Sequence, residues 1–295
     1  MRDFVIVADA TVDLPKEIAL RHGIQIIPMT VTFNNDDRVY STEDEDFMSV
    51  EFYNRLTQGD IATTAQINVF QFYSEFENLI KRGYGVLYLG FSSQLSGTFQ
   101  AAQEAARMVG KDFPEAQVEV IDTLAASAGQ GLLAIKASEL KAQGLNLENV
   151  LEEIEANLQL LSSWATVDDL VFLKRGGRIG ATEAFLGGML NVKPIIHLNP
   201  EGKLIPVKKV RGRRQALRAL VDVMADYEPG YQNQEIFIAH GNCPEDAKTL
   251  ATMIEETYKP KKINLTSIGP IIGSHTGPNA LALFFFANER KVQGM

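Results

Sequence analysis

Ser92-Ser93-Gln94-Leu95-Ser96-Gly97-Thr98 decides the fold, because of what stands on either side of it. Before it, Gly85-Val86-Leu87-Tyr88-Leu89-Gly90-Phe91 is a short apolar run entered through glycine, which predicts a buried strand. After it, Gln100-Ala101-Ala102-Gln103-Glu104-Ala105-Ala106-Arg107-Met108 has helix-forming composition. In an open α/β sheet a ligand sits in the crevice outside the carboxyl ends of the strands. A helix starting there offers unpaired N–H groups and a positive dipole end, both suited to an anion. Ser and Thr donate and accept hydrogen bonds without adding charge. One serine would be an ordinary N-cap. Four hydroxyls around one glycine exceed capping and predict an anion site.

Length and composition set the frame. A chain of 295 residues is long for one hydrophobic core, which predicts two domains. Apolar residues at 45% and charged residues at 22% are the proportions of a soluble globular protein. A net charge of −9 and a pI near 5.1 argue against nucleic acid as a partner, since phosphate binding needs a basic surface. One cysteine excludes an intrachain disulfide and a Cys-rich metal site, and fits a reducing cytoplasm. Residues 1–10 lack the basic start and apolar core of a signal peptide. The longest uncharged apolar run, Ala280 to Ala287, is too short to cross a bilayer. A cytoplasmic location follows as the expectation.

Working back from the central stretch, Phe4 to Ala8 reads as a buried strand ending in Asp9-Ala10-Thr11-Val12-Asp13-Leu14-Pro15, where a helix begins. Strands are expected at Ile24 to Pro28 and Met29 to Phe33, and a solvated acidic segment at Asn34 to Glu45, whose spacing fits no calcium loop. A helix is expected over Phe47 to Thr57. Ala62 to Asn68 clusters uncharged hydrogen-bonding side chains ahead of an amphipathic helix, Val69 to Arg82, and by itself reads as that helix's start. Working forward, Val118 to Thr123 predicts another strand, Ala125 to Leu140 an Ala/Gly-rich helix, and Leu147 to Leu161 an amphipathic one. Repeated strand–helix units predict a parallel sheet covered on both faces.

The second half changes character. Ala165 to Leu173 reads as a strand, followed by the basic glycine turn Lys174-Arg175-Gly176-Gly177-Arg178-Ile179-Gly180, which lacks the Gly-Lys-Ser/Thr ending of a nucleotide P-loop. Thr182 to Leu190 predicts a short apolar helix. Val192 to Leu198 and Lys203 to Val207 flank Asn199-Pro200-Glu201-Gly202, a hairpin signal that makes His197 a structural residue. Lys208 to Arg218 is a basic patch in an acidic chain. Gln234 to His240, the helix through Tyr258, and Lys262 to Ile268 continue the α/β pattern, and Cys243 has no base in the sequence to activate it. In Gly273-Ser274-His275-Thr276-Gly277-Pro278-Asn279 a histidine stands among glycines, prolines and hydroxyls. That context is poorly explained by core packing and marks His275 as the functional histidine.

These stretches, together with Thr64-Ala65-Gln66, occur in the order found in DegV-type proteins, and the resemblance covers essentially the whole chain. It implies a two-domain α/β architecture: an N-terminal three-layer domain with a five-stranded parallel sheet and a C-terminal α/β domain with a mixed sheet, the ligand between them. The division falls at 1–162 and 163–295, with the chain crossing back near 265–280. It further implies a bacterial lipid-binding subunit without catalysis of its own. That subunit holds one long-chain fatty acid and presents it to a fatty acid kinase for acyl-phosphate formation in phospholipid synthesis, with transient membrane contact and no cofactor or metal. By the same resemblance the carboxylate is held by Thr64, Ser96 and His275. Ser93, Thr98 and Arg211 are secondary candidates, and Arg178 and Arg175 are candidates for docking the kinase. Two departures stand out: Ala65-Gln66-Ile67-Asn68 where the family often has Ser-Gln-Pro-Ser, and Asn279 where it often has glycine. Phe185, Leu186, Met189, Ile271 and Ile272 are candidates for the walls of an acyl tunnel.

Two rival readings use the same residues. A serine hydrolase acting on a lipid ester would use Ser96 or Ser93 as nucleophile, His275 as base and Asp9 or Asp122 to orient it. Leu95-Ser96-Gly97 is not the Gly-x-Ser-x-Gly elbow such an enzyme needs. A sugar-binding subunit resembling dihydroxyacetone kinases would require a histidine placed for hemiaminal formation and a polar pocket.

Overall fold

The computed structural model describes residues 3–44, 51–168, 170–180, 191–227 and 230–290. The first half runs β1 (Phe4–Asp9), α1 (Lys16–Arg21), β2 (Ile24–Ile27), β3 (Thr30–Phe33), β4 (Asp36–Ser41), α2 (Phe52–Thr57), β5 (Ala62–Ala65), α3 (Val69–Lys81), β6 (Gly85–Gly90), α4 (Thr98–Asp112), β7 (Val118–Asp122), α5 (Ala128–Ala142) and α6 (Leu147–Asn157). The second half runs β8 (Leu161–Thr166), α7 (Val171–Arg175), β9 (Val192–Leu198), β10 (Leu204–Arg211), α8 (Arg213–Asp222), β11 (Glu235–His240), α9 (Pro244–Tyr258), β12 (Lys262–Ser267), α10 (Pro270–Thr276) and β13 (Leu281–Phe286).

Parallel strands need helical crossovers, and the crossovers cover both faces of the sheet they join. Accordingly β2-β1-β6-β7 form an all-parallel sheet, and every residue of the central β6 is buried. Alternation divides the side chains: Leu87 and Leu89 face α5, whereas Val86 and Tyr88 face α3 and α4, where Tyr88 packs edge-on to Phe72. Among the described residues this sheet has four strands rather than the five that the resemblance implies. The Thr-rich strands β3 and β5 pair antiparallel with each other instead, and with β4 make a separate sheet in the order β4-β3-β5.

The second sheet is mixed, in the order β10-β9-β8-β13-β11-β12; β11 and β12 run parallel and the other pairs antiparallel. Its outer face is covered by α8 and α9. Its inner face meets α5, and α5 thereby lies between the two sheets, with one core running from Leu87 through Leu133 to Phe237 and Phe284. That position explains the Ala/Gly composition. A Cβ on Gly131 would lie 2.6 Å from Leu14 Cδ2, and one on Gly129 would lie 2.9 Å from Phe284 Cδ1.

Three local expectations are corrected. The acidic segment at Asn34 to Glu45 contains a strand, β4, because Tyr40 is buried and Asp36 is anchored by Arg55, which also lies 3.7 Å over the Phe33 ring. The Thr64 region is strand β5, and the helix after it is capped by Asn68, whose side chain accepts from Gln71 N. The expected strand at Ala165 to Leu173 is split: β8 starts earlier and ends at Thr166, and Val171–Arg175 is a short helix that buries Leu173 and stops at Gly176. Around His275 the chain is helical, with Pro270 supplying a preset φ in the first turn. The expected helix at Thr182 to Leu190, with Phe185, Leu186 and Met189, lies outside the described residues.

Candidate functional site

A cavity of about 260 Å³ lies between the two sheets. Most of its wall is apolar: Phe91 and Leu95 from the loop after β6, Leu173, Ile196, Leu198 and Leu204 from the second half, and Ile268, Ile271 and Ile272 at α10. Ile271 and Ile272, two of the candidates for an acyl tunnel, are among these wall residues. Polar side chains gather where the wall is partly exposed: Thr64, Gln66, Ser96, Arg178, His275 and Thr276.

Local structure explains each placement. Thr64 is opposite Val31 in the β3–β5 pair. His275 sits in the last turn of α10, a helix pressed tightly against α2: a Cβ on Gly273 would lie 2.7 Å from Tyr53 Oη, and Tyr53 Oη donates to Ile268 O at 2.8 Å. Together these elements bring Thr64 Oγ1 and His275 Nε2 to 3.0 Å. Ser96 precedes α4, in a loop where Ser92 donates its hydroxyl to Gly202 O of the β9–β10 turn at 2.8 Å. The loop is therefore clamped by the second half of the chain. Ser96 Oγ shares a 2.9 Å hydrogen bond with Thr98 Oγ1 and accepts from Thr98 N at 3.2 Å.

Electrostatics favour an anion at this mouth. Burial, helped by the nearby Arg178 charge, lowers the His275 imidazole to about 4, so it is neutral near pH 7. Its Nδ1 is buried and has no hydrogen-bond partner among the described residues. A side chain at Gly176 would collide with that same Nδ1. Arg178 donates to Leu95 O at 3.0 Å and to Gly176 O at 2.5 Å, both neutral carbonyls, and burial lowers its pKa. A guanidinium bound to carbonyls keeps its full charge for another partner.

The remaining sequence candidates lie apart from the wall. Thr98 reaches the site only through Ser96. Ser93 donates its N–H to Asp122 Oδ1 at 3.2 Å and does not line the cavity. Arg175 lies over the Phe172 ring at 5.5 Å, and Arg211 ends β10 at the edge of the mixed sheet, paired with Val192. Sequence reasoning did not single out Thr11, Ser127 and Ser163, which are buried hydroxyls in the cavity wall. Thr11 stands in the Asp9-to-Pro15 stretch, which the sequence reads only as a strand end, and no local motif signals Ser127 or Ser163.

The hydrolase constellation is not assembled. Ser96 is bonded to Thr98 and His275 to Thr64, while Asp9 is taken by Tyr88 Oη (2.6 Å), Phe91 N and Gln130, and Asp122 by Ser93 N and Leu124 N. Among the described residues no three His, Cys, Asp or Glu side chains gather as a metal site would require. Nor is any helix there long and apolar enough to cross a membrane.

Known proteins share this fold. The chain is 38% identical to a DegV domain-containing protein of Clostridium perfringens, over 99% of this chain and 100% of that one. Among solved structures it resembles a DegV family protein from Thermus thermophilus described by its fatty acid binding (TM-score 0.87, 30% identity, 97% of this chain and 100% of that one). It also resembles a DegV lipid binding protein from Thermotoga maritima (TM-score 0.87, 27% identity, 98% and 100%). The model of the family described as "Uncharacterised protein, DegV family" matches residues 3–288. With the fold and nearly the whole length in agreement, the chain belongs to the DegV family.

Proposed function

We propose that the cavity holds one long-chain fatty acid, its carboxylate at Thr64, Ser96 and His275 and its hydrocarbon along the apolar wall. The observation that carries this reading is one cavity with hydroxyls and a neutral imidazole at a partly exposed mouth and an otherwise mostly apolar wall. Relatives described as binding fatty acid support it. The energetics agree in sign. Burying some fifteen methylenes at about 0.8 kcal/mol each is worth on the order of 12 kcal/mol. Desolvating the carboxylate costs several kcal/mol unless it is hydrogen-bonded and paired, which the two hydroxyls, His275 and the Arg178 charge supply.

Hydroxyls hold a carboxylate oxygen without clamping it in a bidentate ion pair, so the oxygen stays available as a nucleophile. This fits a subunit that presents the acyl carboxylate to a fatty acid kinase in the bacterial cytoplasm, for acyl-phosphate formation and phospholipid synthesis, the phosphoryl chemistry residing in the kinase. Arg175, Arg178 and Arg211 supply positive charge for that partner, with Arg178 at the cavity mouth itself.

Native mass spectrometry of the purified protein, followed by denaturation and extraction, tests the reading. A mass excess equal to one long-chain fatty acid is expected. Absence of any excess, together with no uptake of added palmitate or oleate, overturns it.

A further inference from the structure

The cavity wall carries a hydroxyl where a plain hydrocarbon has no use for one. Ser163 lies in β8 opposite Phe284 of β13, and both side chains turn towards the first turn of α5. A Cβ on Gly129 would lie 2.9 Å from Phe284 Cδ1 and 3.2 Å from Ser163 Oγ. Ser163 is 4% exposed and lines the cavity, and its Oγ has no hydrogen-bond partner among the described residues. Its two hydroxyl neighbours in the wall are occupied: Ser127 Oγ donates to Asp13 Oδ2 at 2.5 Å and Thr11 Oγ1 to Gln130 Oε1 at 2.8 Å. Ser127 also precedes α5 without capping it, so the start of that fifteen-residue helix adds its positive end beside Ser163. A buried hydroxyl without a partner costs folding free energy, and its retention asks for an explanation.

The place along the cavity is set by β13. Leu281, where the chain enters β13 after the helix that carries His275, and Phe284, beside Ser163, are three residues apart, which is roughly 10 Å along a strand. The unpartnered hydroxyl therefore faces the middle of a bound chain rather than its carboxylate.

We propose that Ser163 is a second polar contact that selects acyl chains bearing a single oxygen substituent, a hydroxyl or keto group, at mid-chain. This rests on the fatty-acid reading above. A chain hydroxyl that reaches Ser163 exchanges hydrogen bonds to water for one inside the cavity. In a wall without that serine the same hydroxyl is buried unpaired.

The test is competition between stearate and monohydroxystearates with the hydroxyl moved through the middle third of the chain. The readout is native mass spectrometry of the wild-type protein and of Ser163→Ala. For at least one isomer the hydroxystearate-to-stearate occupancy ratio is expected to be about five- to tenfold higher in the wild type, the size of one net hydrogen bond. Stearate uptake itself should be undiminished in Ser163→Ala. Equal ratios in the two proteins for every isomer overturn the proposal while leaving the fatty-acid reading intact. Failure of the wild type to take up stearate overturns that reading instead. Should Ser163→Ala not fold, Ser163→Cys, a weak donor of similar size, takes its place, and Ser163→Thr is expected to restore the preference.

Discussion

Replacing Asp13 by asparagine exchanges a buried acid at the junction of the two sheets for a near-isostere that cannot ionise. Asp13 follows the turn after β1 at φ +48°, a left-handed conformation that asparagine also tolerates. Its Oδ1 accepts from Gly269 N at 2.8 Å, at the start of α10, and its Oδ2 from Ser127 Oγ at 2.5 Å, ahead of α5. Its carbonyl accepts from Thr266 Oγ1 at 2.8 Å. Full burial raises the carboxyl from its usual 3.8 to about 7 against the pull of the Ser127 and Gly269 donors, and the Asp9 charge adds to the rise. The folded protein therefore keeps a proton that the unfolded chain releases above pH 4. Asp13's contribution to stability falls as pH rises from about 4 to about 7 and is level outside that window. Three pH units at roughly 1.4 kcal/mol each make about 4 kcal/mol.

His275 runs in the opposite sense. Its pKa is lowered from 6.5 to about 4, so the unfolded chain takes up the proton first and stability is lost as pH falls through that range. Between about pH 4 and 6.5 the two slopes offset each other and conceal both. Asp13→Asn removes the opposing slope. The difference between variant and wild type is the cleaner quantity, because every other titrating group cancels in it. At roughly 2 °C per kcal/mol for a chain of this size, the Tm of Asp13→Asn relative to wild type should rise by roughly 8 °C between pH 4 and pH 7.5. Thermal unfolding followed by circular dichroism at half-unit pH steps reads this directly. A Tm difference that stays constant with pH, or shrinks as pH rises, refutes the reasoning.

Thr64→Ala, Ser96→Ala and His275→Ala should each weaken retention of the fatty acid by roughly tenfold or more, one charge-assisted hydrogen bond apiece, measured by displacement of a fluorescent fatty acid. Gly176→Ala should reduce retention comparably although Gly176 contributes no side chain, because a Cβ there displaces the His275 ring; the imidazole NMR shifts of His275 should move with it. Arg211→Glu should leave lipid occupancy unchanged and slow ATP-dependent acyl-phosphate formation by a fatty acid kinase, a loss that shrinks as salt is raised. Occupancy that falls in parallel with transfer would assign Arg211 to the lipid instead.

Much of the scaffold is legible in the sequence, because it depends on local patterns. The apolar run at Gly85 to Phe91, the hydroxyl loop and the helix after it declare a strand–loop–helix unit, and the hairpin at Asn199–Gly202 and the Pro244 helix start announce themselves in the same way. Local context marks Ser96 and His275 in the sequence, but only the resemblance adds Thr64 and joins the three, since no spacing rule joins residues 64 and 275. Only tertiary structure brings their side chains to 3.0 Å, by packing α10 against α2 and β5. Short apolar runs such as Val171–Leu173 suit strand and helix equally, and the burial of Leu173 and the stop at Gly176 settle the matter. Asp13, Ser163 and Gly176 look ordinary in the chain. What each does depends on atoms far away in sequence: a buried carboxyl held by Gly269, a hydroxyl facing an apolar cavity, an absent Cβ that leaves room for an imidazole. Periodicity and composition determined which segments become strands and helices, because those forces act between near neighbours. Long-range packing and desolvation decided which of their side chains form a site.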